Sequence, residues 1–288
     1  MMIKLIGTLF LCLLTSVSLA KNISVFIPFS PGSPTDQLWR AIEPELNERL
    51  KKHDIKLITE NVPGAGGAVA GNRIVDTTDR LILAFYSPAL VIAPAMNPDV
   101  VRYNKDSFRL IGYAGSTEMI VVSSLTLAQF TKKCKNERLT FGSSNIGSTS
   151  HLIGTVIGKE LKCIDVLHVP YKGQAAAYPD LAAGRIDYLV EFAITGEPKV
   201  SAGQINKLFA VDKRFSKELE NWHVFIANRV DSPDYTIIKK EFENLKKDKV
   251  FVEQLEKSYY IKNFSEIKNE QWFKNEFEVF EKFVKNLK

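Results

Sequence analysis

Three strand-like segments in the first half of the chain each run into a loop rich in Gly, Ser and Pro and then into a helix-like stretch. Residues 25–29 (VFIPF) precede SPGSPTD, residues 57–60 (LITE) precede NVPGAGG, and residues 139–141 (LTF) precede GSSNIGSTSHL. Such turns leave backbone N–H groups without partners at a helix N-terminus, where the helix dipole is positive. The pattern is typical of α/β folds and predicts binding sites for an anion.

The N-terminus has the pattern of an export signal. Lys4 is the only charged residue before Lys21, residues 5–14 form an apolar run, and residues 18–20 (SLA) supply small side chains for cleavage. We expect cleavage after Ala20 and a periplasmic protein. The alternative is an uncleaved membrane anchor, although the run is shorter than the roughly 20 residues that a spanning helix needs.

Length and charge limit the classes of protein that the rest of the chain can form. Residues 21–288 suffice for two lobes with cores of their own. The formal net charge is +5, and lysines are interspersed with glutamates along stretches such as residues 239–249. That spread is typical of a solvated surface, so no nucleic-acid partner is predicted.

Two cysteines follow the export signal. Cys134 and Cys163 each lie near the end of a helix-like stretch, just before a strand-like run. In an oxidising compartment they form either a disulfide or two buried free thiols, and the sequence leaves that choice open. Neither has the neighbouring ligands of a metal site, so no metal and no cofactor are predicted.

Strand-like and helix-like segments alternate along most of the chain. This order predicts parallel sheets covered by helices, with ligands at the carboxyl ends of the strands. Apolar residues recur at helical spacing after the first loop, and Pro44 is expected to kink or divide that helix. The further predicted strands are residues 81–85, 110–113, 120–123, 166–169, 186–190, 207–211 and 223–227, and the further helices start at Thr126, Ser148, Gln174 and Thr195.

The C-terminal part of the chain is rich in Lys and Glu. Its apolar residues recur at helical spacing and predict a helix face packed on a lobe, with a membrane or partner helix as the alternative. The stripe consists of Phe273, Phe277, Phe280, Val284 and Leu287. No internal repeat or low-complexity linker separates two domains, so we expect interleaved lobes with the chain crossing between them.

Four ordered motifs resemble a known family. PFSPGSPTD, ENVPGAGG, SSNIGSTSHL, and HVPYKG followed by DLAAGRID are similar to the substrate-binding proteins of tripartite tricarboxylate transporters, the Bug or TctC family. The resemblance covers residues 23–215 and departs at Gly32-Ser33, where the family usually has paired glycines. It implies a type II-like periplasmic-binding-protein fold, a two-lobed Venus flytrap whose loops hold a small carboxylate in the cleft. It also implies that separate membrane components form the transporter.

The division into lobes follows from the predicted strand order and this resemblance. We expect lobe 1 to comprise residues 21–119 and 224–288, and lobe 2 to comprise residues 120–223. The protein is expected to be a monomer whose partners are a small organic acid and the membrane components of the transporter.

The first loop supplies candidate ligand-binding residues in lobe 1. Gly32 lets the backbone approach a ligand, while Ser33 and Thr35 are expected to face it. Asp36 would repel a carboxylate, so we assign it to capping the next helix. Ser87, at the tip of a later strand, is a further candidate for ligand contact.

The richest loop is residues 143–151. It offers hydroxyl and amide groups beside a glycine, and these donors can hold a carboxylate without a buried positive charge. The candidates are Ser144, Asn145, Gly147, Ser148 and Thr149. A serine hydrolase is the rival interpretation, but adjacent Ser150 and His151 point apart on a helix, so no catalytic residue is predicted.

Two later residues complete the predicted site. Tyr171 follows a strand and either donates its hydroxyl to the ligand or packs as an aromatic wall. Glu191, near the tip of another strand, either faces the cleft or lies as a solvated residue at its rim. Asp180 and Asp187 match family positions and are assigned structural roles.

The sequence thus predicts an extracytoplasmic solute-binding protein, not an enzyme, that captures a small organic carboxylate between two lobes. Delivery to a transporter of the tripartite tricarboxylate type is the function that the resemblance implies. A ligand-presenting accessory of a membrane sensor is the alternative, because it would share the same pocket.

Overall fold

The computed structural model describes residues 20–211 and 220–287. The export signal predicted for residues 1–20 therefore lies outside the described residues except for Ala20. Eleven strands are described: β1 (Lys21–Ile27), β2 (Ile55–Asn61), β3 (Leu83–Tyr86), β4 (Arg109–Thr117), β5 (Met119–Ser123), β6 (Arg138–Ser143), β7 (Asp165–Pro170), β8 (Tyr188–Phe192), β9 (Asn206–Ala210), β10 (Trp222–Ala227) and β11 (Ile261–Lys262). The α-helices in these ranges are α1 (Pro34–Leu50), α2 (Ala68–Asp76), α3 (Ala89–Met96), α4 (Leu127–Asn136), α5 (Thr149–Glu160), α6 (Tyr178–Ala182), α7 (Ala193–Ser201), α8 (Pro233–Leu245), α9 (Lys249–Tyr259) and α10 (Glu270–Leu287).

The strands form two sheets, of order β11-β4-β10-β3-β1-β2 and β7-β6-β8-β5-β9. Both are mixed, which corrects the prediction of parallel sheets. β1 pairs in parallel with β2 and β3, and β6 pairs in parallel with β7 and β8. Antiparallel strands complete each sheet: β10 pairs with β3 and β4, and β5 pairs with β8 and β9. The parallel part of each sheet nevertheless brings successive strand ends to one edge.

The chain changes sheet twice within the described ranges. It leaves the first sheet at the end of β4 and enters the second at β5, whose first residue is Met119. It returns with β10, which begins at Trp222. Met119 therefore lies in the second sheet and Trp222 in the first, whereas the predicted boundaries assign Met119 to lobe 1 and Trp222 to lobe 2. The extent of each lobe stays a prediction.

Helix α1 packs its apolar face on the first sheet. Leu38, Ile42, Leu46 and Leu50 are all buried, as helical spacing predicted. The helix runs through Pro44 without division, so that part of the prediction was wrong. Pro44 is exposed, and water can therefore solvate the carbonyl that lacks its intrahelical donor.

Helix α10 covers the first sheet and packs against α3. Phe273, Phe277, Phe280 and Val284 are buried, which confirms packing on a lobe. Each such side chain contributes about 1.5–3 kcal/mol through the apolar surface that it buries. The side chain of Leu287, the last member of the predicted stripe, lies outside the described part.

Cys134 and Cys163 form a disulfide across 29 residues of chain. The bond joins the last turn of α4 to the segment that enters β7. It thereby resolves the choice that the sequence left open in favour of the bridge. The bridge closes a loop on the outer part of the second sheet.

Candidate functional site

A cleft of about 850 Å³ lies between the two sheets. Its first wall is formed by the loops that follow β1, β2 and β3, and its second wall by those that follow β6, β7 and β8. Ten of the predicted ligand-binding residues line it: Gly32, Ser33, Thr35, Ser87, Ser144, Asn145, Ser148, Thr149, Tyr171 and Glu191. The fold therefore brings residues that are far apart in sequence to one cavity, and their contact with a ligand stays a prediction.

The first wall is a tight loop fastened onto the start of α1. The N-cap is Ser33, so the assignment of Asp36 to that position was wrong, and the Ser33 hydroxyl oxygen accepts the Asp36 N–H at 3.4 Å. The Asp36 carboxylate accepts the backbone N–H of Gly32 at 2.8 Å and is also bonded by Arg40 and Asn61. Gly32 thus reaches the cleft with its N–H already committed, because Asp36 folds back to fix the loop.

The carboxyl group of Asp36 stays charged in this position. Burial acts to raise its pKa, but the hydrogen bonds from Arg40, Asn61 and Gly32 outweigh burial and lower the pKa from its ordinary value. Asp36 is almost wholly buried and does not line the cleft. Asp36 therefore fixes the loop, and its charge lies away from the cleft where an anionic ligand would bind.

Thr35 lies beside a buried histidine in the first wall. The Thr35 hydroxyl is 3.4 Å from Nε2 of His223, which is wholly buried in β10 and stacks on Phe85. Burial lowers the pKa of His223 to about 3. His223 is therefore neutral at physiological pH and adds no charge to the cleft.

The second wall is built around the N-terminus of α5. Ser148 is the N-cap, its hydroxyl oxygen accepts the N–H of His151 at 3.2 Å, and its proton is donated to the Asn145 carbonyl at 2.8 Å. By helix geometry the N–H groups of Thr149 and Ser150 have no intrahelical acceptor. This arrangement aims backbone donors and the positive end of α5 into the cleft.

Three of the hydroxyl groups that the sequence predicted for the site are available to a ligand. Among the described residues, the side chains of Ser87, Ser144 and Thr149 have no hydrogen-bond partner, although all three line the cavity. Ser87 belongs to the first wall and the other two to the second. A ligand between the walls is therefore within reach of neutral donors from both sheets.

Gly147 is the one predicted ligand residue that does not line the cleft. Its N–H donates to Nδ1 of His151 at 3.2 Å. A methyl group in place of its α-hydrogen would lie 3.5 Å from Cβ of Met96, which belongs to helix α3 of the other lobe. Its positive φ of 80° turns the loop toward the other lobe, so Gly147 serves the contact between lobes.

Tyr171 lines the second wall, but its hydroxyl donates to the Asp180 carboxylate at 2.6 Å. Burial and this hydrogen bond raise the pKa of Tyr171 to about 12. The ring, and not the hydroxyl, is what this residue presents. Asp180 on α6 is also bonded by Arg185, and buried Asp187 accepts the N–H and hydroxyl of Thr140. Both carboxylates have structural contacts.

Glu191 is wholly buried in β8, so the interpretation as a solvated rim residue was wrong. Its Oε1 accepts from Phe192 N and the Thr195 hydroxyl, and its Oε2 accepts from the Tyr178 hydroxyl, each at 2.7 Å. Burial raises the pKa of Glu191, against the opposing effect of these donors. Its oxygens are occupied, and the residue supports the wall from behind.

Sequence reasoning missed three residues that flank Glu191: Tyr178, Thr195 and Lys199. Thr195 and Lys199 are four residues apart on α7 and share one helix face. Lys199 places its ammonium group 4.6 Å from the centre of the Tyr178 ring. The regular spacing of Glu191, Thr195 and Lys199 in the sequence indicates this cluster. It can be recognised only once the position of α7 is known.

A serine and a histidine do meet near the cleft, in an arrangement unlike that of a hydrolase. The Ser143 hydroxyl oxygen lies 2.9 Å from the Asn145 carbonyl oxygen and 2.7 Å from Nε2 of His168. The serine has one proton for these two contacts, and the tautomer of His168 decides which of them receives it. Ser143 is also wholly buried and absent from the cleft lining, so it is not placed to attack a substrate.

Two features of the described residues bear on the class of site. No group of three His, Cys, Asp or Glu side chains within residues 20–211 and 220–287 is placed to hold a metal ion. In the same ranges no helix combines the length and apolar character that crossing a membrane requires.

The sequence profile of the tripartite tricarboxylate transporter family receptors matches residues 39–220. The chain belongs to this receptor family. A protein encoded in the tcbD-tcbE intergenic region of Pseudomonas sp. strain P51 is 22% identical in an alignment of 221 residues that covers 71% of this chain and 65% of that protein. The chain spans 54% to 65% of the length of three curated relatives that it matches.

Two solved structures have the same fold. The periplasmic binding protein BugD superposes with a TM-score of 0.78 at 17% identity, covering 92% of this chain and 97% of that one. MatC from Rhodopseudomonas palustris, solved with bound malate, gives 0.74 at 20% identity and covers 91% and 98%. The mixed α/β architecture of two sheets is therefore the periplasmic-binding-protein fold.

Proposed function

We propose that this receptor captures a small organic carboxylate between its two lobes outside the cytoplasm. The observation that carries the proposal is the convergence of neutral donors from both walls on one cleft. Ser87 contributes from the first wall, and Ser144, Thr149 and the N-terminus of α5 contribute from the second. Hydroxyl and amide donors stabilise a carboxylate without a fixed charge that must be compensated when the ligand leaves.

The energetics of capture are those of domain closure. We keep the expected lobes, residues 21–119 with 224–288 and residues 120–223, except that Met119 belongs to the second sheet and Trp222 and His223 to the first, and the chain crosses between them twice. A ligand that accepts hydrogen bonds from both lobes stabilises the closed arrangement over the open one. Most of the other predicted ligand-binding residues on the cleft shape and support the walls around those donors. They are Gly32, Ser33, Thr35, Asn145, Ser148, Tyr171 and Glu191.

The partner and the compartment follow from the family. We infer that residues 1–20 direct export to the periplasm, that cleavage follows Ala20, and that the monomeric receptor delivers its ligand to membrane components of a tripartite tricarboxylate transporter. The disulfide between Cys134 and Cys163 supports an oxidising compartment. Malate in MatC supports a carboxylate as the class of ligand. A sensor accessory would use the same cleft, and cross-linking to membrane proteins in cells separates the two partners.

A thermal-shift screen of organic acids on the purified protein tests this function. At a hundredfold excess over Kd, a true ligand stabilises the folded protein by about 2.7 kcal/mol. For a chain of this size we expect a rise in Tm of roughly 5–10 °C. Calorimetry should show a saturable heat of binding, and no product should form. The Ser150→Ala variant should still show that heat. A flat response to every acid would contradict the proposal.

A further inference from the structure

Two histidine rings lie behind the loop that carries the donors of the second wall. This loop, residues 143–151, presents hydroxyl and backbone N–H groups to the cleft, whereas the rings of His151 and His168 do not line it. The backbone N–H of Gly147 donates to Nδ1 of His151 at 3.2 Å, and the Ser143 hydroxyl oxygen lies 2.7 Å from Nε2 of His168. The loop is therefore tied at two points to imidazole rings.

The hydrogen bond from Gly147 requires one protonation state of His151. Nδ1 accepts an N–H only when it carries no proton, so the ring is neutral and its proton is on Nε2. An imidazolium ring also has an N–H at Nδ1, and two donors would then face each other across 3.2 Å. Gly147 is buried, so its N–H would be left without an acceptor. Protonation of His151 thus removes a bond that holds the middle of the loop.

The two rings pack against each other and against Phe141. The ring centroids of His151 and His168 are 4.1 Å apart, and the Phe141 centroid lies 4.8 Å from that of His168. Burial lowers the pKa of His151 below its ordinary value of 6.5. Burial, and then the charge of His151, lower the pKa of His168 to about 4. As the pH falls, His151 therefore takes up a proton before His168 does.

The surroundings of His151 offer no compensation for a positive charge on its ring. Among the described residues, β7 faces it with His168 and β6 with the apolar Phe141, while Tyr188 of β8 donates to a backbone carbonyl of α5. Helix α3, which approaches the loop, contains no charged residue. Glu191, another buried titratable group of this wall, accepts its hydrogen bonds from other partners. Because His151 does not line the cleft, the loss of the loop bond decides the effect of its protonation.

We propose that His151 is a positioning residue for ligand capture, whose unprotonated ring holds the loop before α5, so that acid conditions weaken carboxylate binding. This inference rests on the carboxylate-binding function proposed above. The loop arrangement that binds the ligand needs the neutral ring, so affinity is complete when the ring is neutral and falls as the pH drops. Direct attraction between an imidazolium ring and an anion would have the opposite sign, because affinity would then rise in acid.

Calorimetric titration with malate and with adipate between about pH 7.5 and about pH 5 tests this role. The wild type is compared with two variants. The side-chain oxygen of His151→Asn can accept the Gly147 N–H without titrating, whereas His151→Phe keeps a ring but has no acceptor. Relative to His151→Asn, the wild type should lose at least about threefold in affinity at the lower pH. At the higher pH, His151→Phe should bind roughly tenfold more weakly than the wild type.

Two controls accompany the titrations. His53→Asn removes an imidazole that contacts Glu241 and does not line the cleft, so its affinity should follow the wild-type pH profile. Protonation of the acids themselves affects every variant equally and cancels in the comparison. Hydrogen exchange without ligand measures the loop itself: at the lower pH, peptides that cover residues 143–151 should exchange faster in the wild type than in His151→Asn. Thermal unfolding verifies that each variant is folded.

The outcomes separate this inference from the function on which it rests. If the wild type and His151→Asn have parallel pH profiles, or if wild-type affinity rises in acid relative to that variant, the role of His151 is wrong and carboxylate binding stands. If neither acid binds to any variant, the proposed function fails and this inference fails with it. The exchange measurement then shows whether His151 nevertheless holds the loop.

Discussion

At the scale of single residues, His223 couples the base of the cleft to pH. It is wholly buried and its pKa falls to about 3, from 6.5. The unfolded chain therefore binds a proton near pH 6.5 that the folded chain does not bind until about pH 3. The stability contributed by the neutral ring is complete above pH 6.5 and is lost progressively as the pH falls toward 3.

We expect His223→Gln to flatten the pH dependence of stability. Between pH 5 and pH 4, the free energy of unfolding of the variant should fall by about 1 kcal/mol less than that of the wild type. Urea unfolding at several pH values measures this difference. His168, which is less deeply buried, should give a smaller effect when changed to Gln. Parallel curves for His223→Gln and wild type would show that this ring does not carry the linkage.

The place of a residue in the site could be predicted where the chemistry of its side chain alone decides its role. The sequence placed Ser87, Ser144 and Thr149 at strand ends next to donors, and the structure puts them on the cleft. Glu191 was not predictable as a buried carboxylate, because its burial depends on Tyr178 and Thr195 reaching it from two different helices. The hydrogen bond from the Gly32 N–H to the Asp36 carboxylate likewise depends on the turn of the loop between them.

At the scale of elements, the N-terminus of α5 is expected to serve both stability and binding. Ser148→Ala removes a helix cap and also frees the loop that carries Ser144 and Asn145. We expect a loss of about 1 kcal/mol in the free energy of unfolding, together with weaker carboxylate binding. Urea unfolding and calorimetry on the same preparation measure the two effects.

Thr126→Ala is the matched control. Thr126 caps α4 with a capping box and does not line the cleft. It should cost a similar free energy of unfolding, about 1 kcal/mol, and leave carboxylate affinity unchanged. If both variants bind the acid as the wild type does, the α5 terminus is only a structural cap.

Strands and helices were mostly found by their apolar periodicity, including the α10 stripe and the helices that start near Thr126 and Ser148. The parallel or antiparallel direction of strand pairing was not predicted, because periodicity within a strand gives no information about its neighbouring strand. β10 enters the first sheet antiparallel, after residues from the second sheet have intervened. Continuity of α1 through Pro44 was also missed, since it depends on which side of the helix faces water.

At the scale of the whole molecule, two crossings of the chain tie the lobes together and leave the cleft between them. The four ordered motifs predicted this architecture through the family that they resemble. The contacts that join the lobes were not visible in the sequence. Gly147 approaches Met96 only because the two sheets face each other.

Hydrogen exchange with and without the acid that gives the largest thermal shift tests most directly whether both lobes hold one ligand. Peptides that cover residues 30–37 and residues 143–151 should both exchange more slowly at saturating acid, while the segment around Thr126 should be unaffected. Protection of both walls is the result expected for a carboxylate bound between them. Protection of one wall alone, or of neither, would contradict capture in the cleft.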